Sequence, residues 1–240
     1  MAAIATNSCI TRENNIYFSN ALTVTPPDRT KFYVALLNFT AFSNTITSTG
    51  SGTSLTLGVT IGTNLVVGSR VRFTTTNTLP APLALATDYY VVSFPGGTGG
   101  STLTVSLTPG GSAITYTTTG AGTHTLTEQA PSRIDTMAHF IRSELPVTNG
   151  YARANVVFAT ATFDTVNLVA YPATAVASFT ATTAYAFNTV VLLEDASATV
   201  GSTTGGVTFF DNTITGTVPT SGLSFNITPR TANSNTLTGV

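Results

Sequence analysis

The sequence predicts a mainly β protein: a β-sandwich or barrel core with one amphipathic helix at about 132–145 and an inserted small β-barrel or sandwich domain. Three observations predict it. Only 8% of residues are charged, against roughly a quarter in an ordinary soluble domain. Thr and Val, whose stiff branched side chains suit a pleated surface, recur throughout the chain. Short runs of alternating apolar and polar residues follow one another with turn residues between them. A mean hydropathy of +0.28 and a net charge of -1 exclude the low hydrophobicity and high charge of a disordered chain.

Residues 1–15, MAAIATNSCITRENN, lack the basic start and continuous apolar stretch of a secretory signal. No window reaches the roughly 18 apolar residues of a membrane span, so the expectation is a chain folded in the cytosol. Cys9 is the single cysteine and forms no intrachain disulfide. Residues 31–37, KFYVALL, have the unbroken apolar character of a strand covered on both faces.

Between Thr45 and Thr127 the only charged side chains are Arg70, Arg72 and Asp88. Strands are expected at 54–59, 64–75, 88–94, 102–107, 113–119 and 123–127, separated by the Gly- and Pro-rich turns 68–69, 79–82, 95–97 and 109–111. Alternation fixes their faces. Val71 and Phe73 point one way while Arg70 and Arg72 point the other, and Leu103, Val105 and Leu107 alternate with hydroxyls. Beyond this zone Ile134, Met137, Ala138, Ile141 and Leu145 form one helical stripe, with Ser132 and Asp135 as a capping box and Pro146 as the stop.

Asn149-Gly150 is a tight-turn signal leading into a strand at 153–163. Further strands are expected at 166–171, 175–180, 186–194, 206–210, 213–218 and 223–228, with a loose polar tail at 230–240. The apolar run 190–193 marks 186–194 as central, and it and 31–37 are the expected core strands of one domain. That domain spans 1–42 plus 129–240; the inserted β-domain spans 43–128.

The inventory of reactive groups is thin. A pI near 6.0 and one lysine, Lys31, leave no basic face for nucleic acid. His124 and His139 have no metal-ligand partner at a fitting offset. His124, between two threonines, reads as a solvated or hydroxyl-bonded strand residue. Glu194-Asp195 reads as a charged strand exit before half a calcium site, and Asp211-Asn212 as a turn. The glycines of 96–100 lack the Gly-Lys-Ser/Thr of a phosphate loop. No catalytic, cofactor-binding or metal-ligating residue is assigned, and no cofactor is expected.

Residues 26–37, PPDRTKFYVALL, followed by Gly150-Tyr151-Ala152-Arg153, resemble the "PP...YVALL" start and "GYAR" turn of a family of phage tail-fibre-like or virion structural proteins. Segments 79–83 and 88–92, with 108–114 and 120–125, are similar to a small β-module recurring in phage structural proteins. The resemblance implies a non-enzymatic virion component. It would bind copies of itself as a homo-oligomer, such as a trimer, and other virion proteins such as major capsid or tail proteins, without nucleic acid or membrane. Capsid decoration or cement is the favoured role, because no coiled-coil heptads or fibrous repeats are present. The alternative is a tail fibre, tail or adaptor protein, receptor- or glycan-binding through Tyr89, Tyr90 and Tyr151.

Overall fold

The computed structural model describes residues 4–5, 32–49, 52–97, 99–132, 134–157, 162–164, 169–171, 175–194, 196–228 and 236–239. Among these the protein is mainly β, with a closed six-stranded antiparallel barrel and one short helix. It divides into two compact units, Met1–Phe39 with Ser143–Val240, and Thr40–Arg142.

In the first unit, β1 (Ile4–Ala5) and β2 (Phe32–Leu37) precede the chain's excursion into the second. The second unit contributes β3 (Ser43–Thr49), β4 (Ser54–Leu57), β5 (Arg70–Thr75), β6 (Tyr89–Ser93), β7 (Thr102–Ser106) and β8 (His124–Glu128), then helix α1 (Met137–Ile141). On its return the chain adds β9 (Ala154–Val156), β10 (Thr162–Asp164), β11 (Val169–Tyr171), β12 (Ala175–Phe179) and β13 (Tyr185–Phe187). The last elements are β14 (Thr189–Glu194), β15 (Gly206–Asp211), β16 (Gly216–Val218), β17 (Leu223–Thr228) and β18 (Thr236–Gly239).

The barrel closes in the order β3-β4-β7-β6-β5-β8, which leaves none of its strands with a bare edge. Strand alternation sends Ile46, Leu55, Leu57, Val71, Phe73, Tyr89, Val91, Leu103, Val105 and Leu126 into one interior. Loop residues Ile61, Leu65, Leu79, Leu83 and Tyr116 complete that core. Burying each large side chain contributes on the order of 1.5–3 kcal/mol. Phe73 and Tyr89 also meet edge to face at 5.3 Å.

The other unit is built on a five-stranded sheet, β1-β15-β14-β2-β9. The two runs singled out in the sequence lie side by side there: β2 and β14 pair antiparallel, with Ala35 opposite Val191 and Val34 opposite Leu192. Every residue of β14 is buried, which accounts for its unbroken apolar run. One apolar core joins Val34, Leu36, Val190 and Leu192 of this sheet to Ala177 and Phe179 of β12, Phe187 of β13, Val218 of β16 and Phe225 of β17. The unit is therefore layered sheet on sheet.

Several expectations are corrected. The helix covers Met137–Ile141, not 132–145: Asp135 Oδ2 accepts the Ser132 N–H at 2.6 Å and folds 132–135 into a turn, while Thr136 caps α1 through His139 N. Ile134 stands exposed, off the proposed stripe, and Leu145 packs into the layered core. The helix also belongs to the barrel's unit. Residues 129–142 are tied to Arg70 and Glu128 of the barrel, so the inserted unit runs to Arg142 and begins at Thr40.

Strand β3 escaped notice because six of its seven residues are Ser, Thr or Asn, with Ile46 alone as an apolar inward residue. Expected strand 113–119 supplies only a bridge from Tyr116 to Gly52. The run 64–75 is strand only from Arg70, because Gly68 turns the chain with φ +94°. Strand 186–194 breaks at Asn188, whose amide brackets Phe39 by accepting its N–H and donating to its C=O. Of the expected strand 153–163, residues 158–161 lie outside the described residues. So do 165–168 and 230–235, but Thr236–Gly239 pairs with β17 and is no loose tail.

Candidate functional site

Most charged side chains among the described residues of given accessibility are turned inward. Arg70 was expected on the solvent side of its strand, yet its side chain is 9% accessible because the 130–135 segment covers it. Its Nε donates to Asp135 Oδ1 at 2.8 Å, Nη1 to Asp88 Oδ2 at 3.1 Å, and Nη2 to the Ala130 carbonyl at 2.6 Å. Arg72 also pairs with Asp88. Burial opposes ionisation of Asp88, but the arginines outweigh it and hold the carboxyl below its ordinary range.

At the end of β8, the Glu128 side chain is fully inaccessible and accepts three hydrogen bonds. Phe42 N and Arg142 Nη2 donate to Oε2; the Ser69 hydroxyl donates to Oε1, which also faces His139 Nε2 at 3.4 Å. His139, likewise inaccessible, faces Asp135 Oδ2 with Nδ1 at 3.1 Å. Burial alone would lower the imidazole pKa; the carboxylates of Asp135 and Glu128 outweigh it and raise the pKa above 6.5.

The second network lies in the layered unit and uses the Gly150-Tyr151-Ala152-Arg153 segment. Gly150 takes a left-handed φ of +80° after the turn Val147–Asn149. Arg153 grips Glu144 with Nε and Nη2, both at 2.7 Å, and donates to the Ser197 and Ser202 carbonyls at 2.8 Å each. Glu144 in turn accepts from Tyr151 Oη and from the Gly201 N–H. Tyr151 Oη accepts the Leu36 N–H at 3.1 Å. Burial and then the Glu144 charge push the Tyr151 hydroxyl well above its ordinary range. The motif is a pin between β2, the 142–145 turn and the 197–202 loop.

The other residues singled out in the sequence are structural. His124 is buried, with Nδ1 at 2.8 Å from Thr75 Oγ1 and Nε2 at 3.3 Å from the Thr119 carbonyl, so it is the hydroxyl-bonded strand residue expected. Glu194 is buried; Asp195 lies outside the described residues, as do Cys9 and Lys31. Asp211 Oδ1 accepts Thr213 N and Oγ1, closing a turn. Tyr89, Tyr90 and Tyr151 are all buried and line no exposed groove. Among the described residues no group of three or more His, Cys, Asp or Glu is placed to hold a metal.

Among the described residues the exposed surface is mostly hydroxyl and methyl. Exposed charge is scarce among those of given accessibility: the Arg72 side chain is 42% accessible and Asp88, its partner, 23%. On the barrel wall, Thr45 stands opposite Thr125 and Thr125 opposite Thr74; beside them Ser43 stands opposite Thr127 and Thr127 opposite Arg72. Ser43 and Thr127 share a hydrogen bond at 2.9 Å. Scattered apolar side chains, among them Leu85, Leu107, Val147, Val157 and Val176, are exposed as well.

Sequence reasoning saw the scarcity of charge but missed its placement; the Ser132-Asp135 spacing was the one local sign that Asp135 turns inward. Compared with family models, curated proteins and solved structures, the chain matches none.

Proposed function

We propose that this chain is a non-enzymatic structural protein of a phage virion, in the role of a capsid decoration or cement protein. The observation that carries the reading is the scarcity of charge on the described surface, combined with internal pairing of most of the described arginines and carboxylates. Stripping water from a charge costs several kcal/mol, whereas a hydroxyl costs on the order of 1–3 kcal/mol and recovers it with one new hydrogen bond. A Thr- and Ser-covered wall is therefore inexpensive to bury. Copies with a net charge of -1 repel one another weakly.

Each contact adds modest free energy, and many copies engaged on a repeating shell multiply it. The partners are further copies of the chain, in a closed homo-oligomer, and major capsid or tail proteins. The clusters at Glu128, Asp135 and His139 and at Glu144 and Arg153 are sealed from solvent, so they hold backbone in place.

Light scattering of the purified chain and co-sedimentation with purified phage shells or tails test the reading. An oligomer that pellets with shells is expected. A strict monomer that stays in the supernatant with both shells and tails overturns it, and pelleting with tails alone moves the site to a tail or adaptor position.

A further inference from the structure

The segment that follows the barrel carries a group whose role lies outside surface docking. His139 sits with both ring nitrogens against carboxylates, Asp135 from its own segment and Glu128 from β8, and all three side chains are fully inaccessible. A neutral imidazole carries one N–H and one lone pair, so it would aim that lone pair at a carboxylate oxygen with no water to intervene. Only the doubly protonated ring is attracted to both.

The surrounding charges have fixed partners. Asp135 is held by Arg70 of β5, which also holds Asp88; Asp88 also pairs with Arg72, and Glu128 with Arg142 at the end of α1. The helix therefore reaches the barrel's charges at two points, His139 and Arg142, of which only the first titrates in the accessible pH range. Steric fit makes the seat exacting: a Cβ on Gly68, in the turn before β5, would lie 2.3 Å from Oγ1 of the cap residue Thr136.

We propose that Asp135, His139 and Glu128 form a protonation-gated clasp, which latches the 132–142 segment to the barrel while His139 carries two ring protons and releases it when one is lost. The raised pKa agrees in direction. For a group whose folded value lies above its unfolded one, the stabilisation is complete below the unfolded value, here about 6.5, and is lost as pH rises through the folded value. The clasp is closed at pH 6.5 and opens as pH rises through the folded value.

Hydrogen exchange of the α1 amides in the full chain, corrected for the intrinsic base dependence of exchange, reads the opening. The opening constant should rise about tenfold per pH unit between the unfolded and folded values, and that slope should vanish in His139→Gln. Nitrogen-15 spectra of labelled histidine, assigned with His124→Gln, should show both His139 ring nitrogens protonated at pH 6.5. Asp135→Asn should move the loss of that proton to lower pH. A neutral His139 ring at pH 6.5 overturns the proposal, and so does an α1 opening constant with the same pH slope in wild type and His139→Gln. Should His139→Gln fail to fold, the wild-type ring spectra decide alone.

Discussion

Arg153 and Glu144 meet side by side with the arginine side chain wholly inaccessible and the carboxylate 1% accessible, and every oxygen and nitrogen facing between them is matched. Removing one partner strands the other charge in the interior. Arg153→Met or Glu144→Gln should each cost about 3–5 kcal/mol in chemical unfolding. Replacing both with apolar residues should cost less than the sum of the single changes. Arg153→Lys should not rescue, since a point charge cannot grip a carboxylate twice and reach two carbonyls.

Tyr151→Phe keeps the ring that stacks on Phe179 at 6.2 Å but removes the hydroxyl that receives the Leu36 N–H. A loss of about 1–3 kcal/mol is expected, the cost of a buried donor left unsatisfied. Urea unfolding monitored by tyrosine fluorescence measures it.

Gly68→Ala should destabilise by more than about 1 kcal/mol, because φ +94° is strained for alanine and the new methyl meets Thr136. Gly97→Ala is the control. Its φ is +69° with nothing within 4 Å, so it keeps the backbone strain without the clash, and the difference between the two melting temperatures isolates the steric part.

Asp88 predicts an acid limb. Its folded pKa lies below the ordinary 3.8, so its contribution is present above that value and lost as pH falls through the folded one. Wild type and Asp88→Asn should differ in stability at neutral pH and converge in strong acid, as acid titration of the unfolding midpoint would register. The effect should be modest, because Asp88 is partly open to solvent.

Association through a charge-poor wall should respond weakly to ionic strength, since few ion pairs or counterions are involved. Co-sedimentation with shells at low and high salt checks this. A steep loss of binding with salt would place the contact on charged residues instead.

The sequence by itself determined the β class, the core character of the runs that became β2 and β14, and the inward rows Val71, Phe73 and Leu103, Val105. Each follows from a period of two or an unbroken apolar run, which are properties of single strands. Tertiary structure alone decided where the charges go. Arg70 and Arg72 share one face of β5 by alternation, yet the first is buried and the second half-exposed, because a segment some sixty residues later closes over Arg70 with Asp135. Strand β3, almost all hydroxyl, became legible only through its partners, since a barrel wall needs one inward row and lets neighbours supply the rest of its core. The expected long helix shortened for the same reason: the Ser132 N–H donated to Asp135, the Thr136 hydroxyl accepting the His139 N–H, and a histidine held between two carboxylates outweighed the helical spacing of five apolar residues.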